Sequence, residues 1–319
     1  MSSLQHAEPR TATPAGTLAG HPADFVALLD HLGILRVSGP DAGAFLHGQV
    51  SCDVASLDAR SSSYGALCSP QGRMLASFLL WRSEDEFLMA LSGDIAPAVQ
   101  KQLSKYVLRS KVKVLDASGT IVLAGAAGEL ADRIFAGTFR DLPAKPNQVC
   151  SVPDVGTAVR LIDGRLLLAL KAPIRDTELT DASVWRWRDI RSGLPLVTAV
   201  TQGQFVPQMA NLELIGGVSF SKGCYTGQEV VARAQHLGKV KRRMYLANVA
   251  APAQAGDALY SDDLGEQASG MVVNAEASPD GGYDILAVVH AASRERSTVH
   301  LKAPAGPVLR FLPLPYPVA

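Results

Sequence analysis

The sequence predicts an α+β protein of antiparallel sheets and helices ending in a small β-barrel, on three observations. Residues 159–162 and 165–168 are apolar runs joined by Asp163-Gly164, a pair suited to the positive φ angles of a type I′ hairpin turn. Residues 64–68, 74–81 and 87–91 read as three strands linked by Ser69-Pro70-Gln71-Gly72 and by the acidic turn Ser83-Glu84-Asp85-Glu86, an antiparallel meander. From about Lys241, short alternating segments at 244–249, 258–260, 269–273, 283–289 and 299–302 are separated by Gly, Pro, Asp and Ser, as in a small separate barrel.

In chain order, Asp24 to Leu32 is expected as a short helix. Gly33 to Val37 then alternates as a strand, and Ser38-Gly39-Pro40 opens a helix with Phe45, Leu46 and Val50 inward. Asp94 stands where a cap would, before a helix with Ile95, Val99, Leu103 and Tyr106 at helical spacing. Lys111 to Leu115 resumes a strand with Val112 and Val114 on one face. Asp181 to Arg191 is a helix bearing Trp185 and Trp187 with Arg186, Arg188 and Arg191, and Gly193-Leu194-Pro195 stops it. Alternate helical positions cannot share a face, so at least one tryptophan belongs to the core. The expected division is a frayed tail over 1–20, a main region over 21–240 and a barrel over 241–319.

With 319 residues and 47% hydrophobic content the chain can bury a large core, enough for two or three domains. Its formal charge is zero, so no global field advertises nucleic acid or an acidic membrane. Cys52, Cys68, Cys150 and Cys224 form no C-x-x-C pair, which disfavours a zinc ribbon, a thioredoxin-type centre or an Fe–S ligand set and fits a reduced cytoplasm. The three besides Cys224 are expected in the core. Seven scattered histidines lack metal-ligand spacing, so no metal site is expected, although His47 and His236 are placed near the cleft. No segment reads as a signal peptide or a membrane span.

The chemistry concentrates in residues 220–233, where Lys222, Cys224, Tyr225, Gln228, Glu229 and Arg233 are punctuated by Gly223 and Gly227. Two readings stand side by side: a polar turn feeding a helix N-terminus near Thr226, or an ordinary glycine-rich turn. A nearby ammonium and a helix N-terminus favour a Cys224 thiolate, so a redox or nucleophilic thiol stands against a buried core cysteine. Lys222, Arg233, Lys239, Lys241, Arg242 and Arg243 face one acid, Glu229, across residues 222–243. That stripe suits the acidic tail of a small ligand or an RNA contact over 233–243, or else a solvated strand edge.

Lys-Gly-Cys-Tyr-Thr-Gly-Gln-Glu at 222–229, followed by Val-Ala-Arg, resembles the signature of the YgfZ family. Its members are folate-binding proteins implicated in iron–sulfur cluster maturation and related to the T-protein (aminomethyltransferase) of the glycine cleavage system. Phe45-Leu46-His47-Gly48-Gln49, Leu67 to Arg73, Arg191-Ser192-Gly193-Leu194-Pro195 and Phe205 to Leu212 extend the resemblance over most of 30–245. It implies the T-protein-like folate-binding fold, tetrahydrofolate or a derivative as cofactor, and iron–sulfur client enzymes or assembly proteins, tRNA-modifying enzymes among them, as partners. The site residues it implies are Gln49, Arg188 or Arg191, Asn211, Lys222, Tyr225, Gln228, Glu229 and Arg233, with Cys224 as functional thiol.

The T-protein's aspartate pair falls on Ala76 and Ser77, and its Pro-x-Glu reads Pro207-Gln208-Met209. Both losses disfavour independent turnover. A rival one-carbon transferase or demethylase needs a replacement acid, for which Glu213 and Asp189 are the convenient candidates; a redox or RNA-binding module without folate is a third reading. The expectation is one cavity in which pterin and Cys224 meet.

Overall fold

The computed structural model describes residues 22–139, 141–236 and 240–318. The expected tail over 1–20 and Lys239 lie outside them, as does the side chain of His236.

Asp24 to Leu32 is not the helix that the sequence predicts but a strand, a turn and the start of a second strand. β1 (Phe25–Leu28) turns at Asp30-His31 into β2 (Leu32–Ser38). Phe25 and Ala27 enter one core while Val26 enters another, the period-two burial of a strand, and pairing with a distant partner decides it. Helix α1 (Ala42–His47), β3 (Ser62–Cys68), β4 (Met74–Ser83), β5 (Glu86–Ser92), α2 (Ala96–Lys105) and β6 (Lys113–Asp116) follow close to expectation. Asp94, however, does not cap α2. Its carboxylate accepts from the Ser92 hydroxyl and from the Ala199 N–H, so a remote loop has taken the acceptor.

One five-stranded antiparallel sheet has the order β3-β4-β5-β2-β6. A second runs β1-β7-β10-β9-β8, built from β7 (Val122–Ala127), β8 (Val149–Val152), β9 (Gly156–Arg160) and β10 (Leu166–Leu170). Helix α3 (Gly128–Ala136) covers its outer face through Ala131 and Phe135. Between the sheets lies a core of Phe25, Ile34, Trp81, Leu88, Leu123, Val159 and Leu167, into which α4 (Ser183–Arg191) inserts Trp185. Trp187 instead points to the third sheet, so the two tryptophans separate as their spacing requires.

The β9–β10 hairpin forms, but not through a type I′ turn. Only Gly164 has a positive φ; Leu161 N–H bonds Arg165 O, which leaves a three-residue connection, because Asp163 is held by Arg165 and Ser192.

Helix α5 (Gln228–His236) leads to β11 (Arg242–Val249), β12 (Ala258–Ser261), β13 (Ala268–Ala277), β14 (Tyr283–His290), α6 (Ala291–Arg296), β15 (Val299–Leu301) and β16 (Arg310–Leu312). This sheet is ordered β15-β12-β13-β14-β11-β16. Leu301 N–H bonds Pro307 O, and Leu309 N–H bonds Val299 O, so the chain entering β16 ties back to β15 and the sheet curls on itself. On β14, Ile285, Ala287 and Val289 fill the curled sheet while Leu286 and Val288 pack on the main body. Burial on both faces explains its unbroken apolar run.

Gly125 on β7 is required by Trp185, since a Cβ there would stand 2.1 Å from the indole Cε3. Gly125→Ala is therefore expected to cost about 1–3 kcal/mol through overpacking, read from the urea midpoint. An unchanged midpoint would show that the indole is not tightly seated.

Candidate functional site

The signature segment forms a surface loop ahead of α5, held by its own backbone and by a lysine. Gly72 (φ 71°) and Gly227 (φ 82°) sit back to back; a Cβ on Gly227 would lie 2.3 Å from Ser69 O, and one on Gly72 2.8 Å from Val230 Cβ. Only glycine permits that approach. Lys222 Nζ donates to the carbonyls of His47 (2.5 Å), Val50 (2.7 Å) and Cys52 (3.0 Å), the frayed end of α1 and the turn after it. The ammonium has no fourth donor for a ligand carboxylate, so Lys222 builds the loop. Burial lowers its pKa. Tyr225 lies 5.0 Å from that ammonium, ring centroid to Nζ, with a buried hydroxyl that has no hydrogen-bond partner, and burial raises its pKa.

Cys224, between them, is exposed, which removes the buried-core reading. Gln228 begins α5, Gln49 is half-buried just after α1, and Glu229 and Arg233 form an exposed i,i+4 pair at 3.1 Å. Cys52 and Cys68 are buried, their thiols pushed up to about 12 by desolvation, whereas Cys150 on β8 is only half-buried, contrary to expectation, because β8 is a sheet edge.

The basic stripe does not survive as a stripe. Lys222 is spent on carbonyls, and Arg243 binds Glu213 and donates to Gln208 O at 2.8 Å. Arg233, Lys241 and Arg242 are the described cations that keep solvent access.

A second locus lies where α4 meets both N-terminal sheets. Arg165, 3% exposed, places Nε 2.6 Å from Asp163 Oδ2 and Nη2 2.6 Å from Asp189 Oδ1, donates from Nη1 to Trp185 O, and stacks 4.0 Å over the Trp185 ring. Burial drives Asp189 up to about 6, against the pull of Arg165. Beside it Tyr64 carries a buried hydroxyl with no partner, and burial, reinforced by Asp189, raises its pKa. Tyr64, Asp189, Trp185 and Ser77 line a slot of about 70 Å³ with Phe78 and Leu212. Ser77, at one of the positions where the T-protein has its acid, donates to Pro195 O and accepts from Val197 N–H, stapling the loop after α4.

Ile215 lines both this slot and a wider mouth of about 610 Å³ that includes Trp187, Arg188, Arg191, Leu214 and Tyr316. Arg188 keeps a buried, unpartnered Nε and lies 5.6 Å over the Trp187 ring. Arg191 is drawn to Asp284 at 3.5 Å, as is the Trp187 indole at 2.9 Å. Asn211 is fully buried and donates to Met244 O, so it ties the body to the third sheet. Glu213 is locked by Arg243 and, of the two replacement acids, only Asp189 faces the slot.

The residues expected in one cavity therefore fall in two places. Arg188, Arg191 and Asp189 gather at slot and mouth; Cys224, Tyr225, Gln228, Glu229 and Arg233 gather at the loop, and no residue of 220–233 lines either cavity. Tyr64, Arg165 and Tyr316 were missed. An arginine leading an apolar strand straight out of an Asp-Gly turn was the available signal for Arg165; nothing local marked the other two.

A body of two antiparallel sheets with a curled third sheet gives the chain an aminomethyltransferase-T-like fold. Residues 25–153 match the GCVT N-terminal domain family. The crystal structure of glycine cleavage system aminomethyltransferase T from Bartonella henselae superposes with a TM-score of 0.67 at 18% identity, over 92% of this chain and 85% of that one, which shows the fold. The protein called tRNA-modifying protein YgfZ in Sodalis glossinidius (strain morsitans) is 32% identical over 332 residues, spanning 100% of this chain and 99% of that protein. The chain belongs to the YgfZ family.

Among the described residues no helix is long and apolar enough to cross a membrane. No group of His, Cys, Asp or Glu able to hold a metal ion is found among them either.

Proposed function

We propose that this is a tetrahydrofolate-binding accessory protein of the cytoplasm that supports assembly or repair of iron–sulfur clusters in client enzymes, including tRNA-modifying ones. The observation that carries the folate reading is the pair at the slot: an unpartnered buried Tyr64 hydroxyl and the Asp189 carboxylate in walls that are apolar apart from Ser77. An aminopyrimidine edge offers donors and acceptors to such a pair, while the mouth has the volume of a small-molecule site, an indole wall and the Arg188 guanidinium for an acidic tail. The slot by itself holds little more than water, so the ring belongs largely to the mouth, with Tyr64 and Asp189 at its floor. Bound tetrahydrofolate supplies a reduced pterin able to carry one-carbon units.

Ser77 spends its hydroxyl on the backbone and β4 presents no acid, which favours a binding role over turnover. Cys224 faces solvent on a loop tied down by Lys222, a place from which a thiol can meet a client rather than the pterin. Residues 211–222 run from the slot wall to that loop and are pinned midway, where Ser51 bonds Gly217 O and Ser219 N–H. Folate ordering the wall would thus bias the thiol loop.

Asp189→Asn is expected to weaken tetrahydrofolate binding about tenfold or more by calorimetry, the scale of one lost charge-assisted hydrogen bond. Wild-type protein giving no heat at about 1 mM tetrahydrofolate would sink the folate reading. Cys224→Ala, at an exposed position, should leave stability within about 0.5 kcal/mol and folate affinity unchanged. In cells it should abolish the gain in iron–sulfur enzyme activity; full activity with the alanine variant would remove the thiol from the mechanism.

A further inference from the structure

A polar cavity of about 460 Å³ lies between the β1–β2 turn, the turn after β5, α4, and the third sheet. Asp189, Leu194 and Leu196 line both it and the slot, so they form the partition between the two. Its most telling group is His31: both ring nitrogens are buried and neither has a hydrogen-bond partner, although the ring borders open space. A neutral imidazole has one donor and one acceptor, so a molecule that completes His31, once a turn of the ring brings the nitrogens to the cavity, must bring one of each.

The charges around it are of both signs and come from different elements. On α4, Arg186 binds Glu276 through Nε at 2.5 Å, and its terminal amino groups remain for a second acceptor. From the two turns come Asp30, exposed, and Asp94, whose oxygens each accept one fixed hydrogen bond and keep further lone pairs. Thr198 and Gln254 add neutral polar lining. A simple anion here would meet Asp30 and Asp94, and a simple cation would meet Arg186. A molecule with an amine and a carboxylate on adjacent atoms has a complement for each, and it supplies His31 with a donor and an acceptor together.

We propose that this cavity is a second small-molecule site, built for a zwitterion of the α-amino-acid class. Arg186 and the N–H of His31 recognise the carboxylate, Asp30, Asp94 and the acceptor nitrogen of His31 the ammonium, and the volume left over accepts a side chain. Burial, helped by Arg186, holds the His31 pKa down at about 4, so the ring stays neutral and two-sided at neutral pH. The site is a different cavity from the folate slot, from which Asp189, Leu194 and Leu196 divide it.

The test is ligand-observed NMR on the full chain with alanine, serine and glutamate, and with acetate and methylamine as half-ligands. At least one amino acid is expected to bind at millimolar concentration or tighter, with both half-ligands at least about tenfold weaker. His31→Phe should weaken the amino acid about tenfold or more, and Arg186→Met likewise; the second variant carries the test if the first does not fold. Saturating tetrahydrofolate should leave the affinity unchanged. Absence of binding by all three amino acids at about 50 mM would overturn the proposal. So would equal binding of acetate or methylamine, affinity retained in the two variants, or competition by tetrahydrofolate.

Discussion

Arg165→Met is expected to be the most damaging single substitution, lowering stability by about 3–5 kcal/mol, because it strands two carboxylates beside a buried indole. In the native protein Asp163 and Asp189 flank one guanidinium at 2.6 Å each. Asp189 shows the sign of the pH effect. Its folded pKa of about 6 lies above its ordinary 3.8, so its contribution is favourable below the lower value and is lost as pH rises through the upper one. Removing Arg165, whose charge pulls that carboxyl down, raises it further. The variant should therefore be much closer to wild type in urea melts at pH 5 than at pH 8. Adding Asp163→Asn and Asp189→Asn should recover part of the loss at pH 8 by removing the stranded charges. A variant equally weakened at both pH values would show that the loss comes from packing against Trp185 rather than from the charges.

Lys222→Met is the second large effect, about 2–4 kcal/mol, since one ammonium satisfies the carbonyls of His47, Val50 and Cys52. Its half-buried setting keeps the cost below the sum of three buried bonds, because water can reach part of the gap. The damage should be local as well as global: limited proteolysis is expected to cut between 219 and 227 in the variant and not in the wild type. Lys222→Arg should rescue little, because a planar fork cannot converge on three carbonyls as a tetrahedral ammonium does. If melting and cleavage were both unchanged, Lys222 would not be what holds the loop, and its nitrogen would be available to a ligand after all.

These two effects also explain where the sequence misleads. Lys222 looks like an anion ligand because it sits in a cluster of cations beside a thiol; its three acceptors come from residues some 170 positions earlier, so no local pattern reveals that it is already engaged. Arg243 misleads for the same reason, its partner Glu213 being thirty residues away. The helix expected over Asp24 to Leu32 fails because its apolar run suits either period, and pairing with Val122–Ala127 chooses the strand.

Local chemistry alone determined the antiparallel meander, the Asp163-Gly164 hairpin, the tryptophan helix with its glycine stop, the barrel-like C-terminal segments and the signature turn. Each depends on side-chain period or turn geometry within about ten residues, and such information is written contiguously. Tertiary structure decided that the thiol loop and the slot are separate places, that Asp189 rather than Glu213 faces the slot, that Tyr64 lines the slot and Tyr316 its mouth, and that Arg165 holds Asp189 from behind. Burial and the pairing of polar groups between distant segments are properties of the folded chain, because the dielectric surroundings and partner of a polar group exist only once those segments have packed around it.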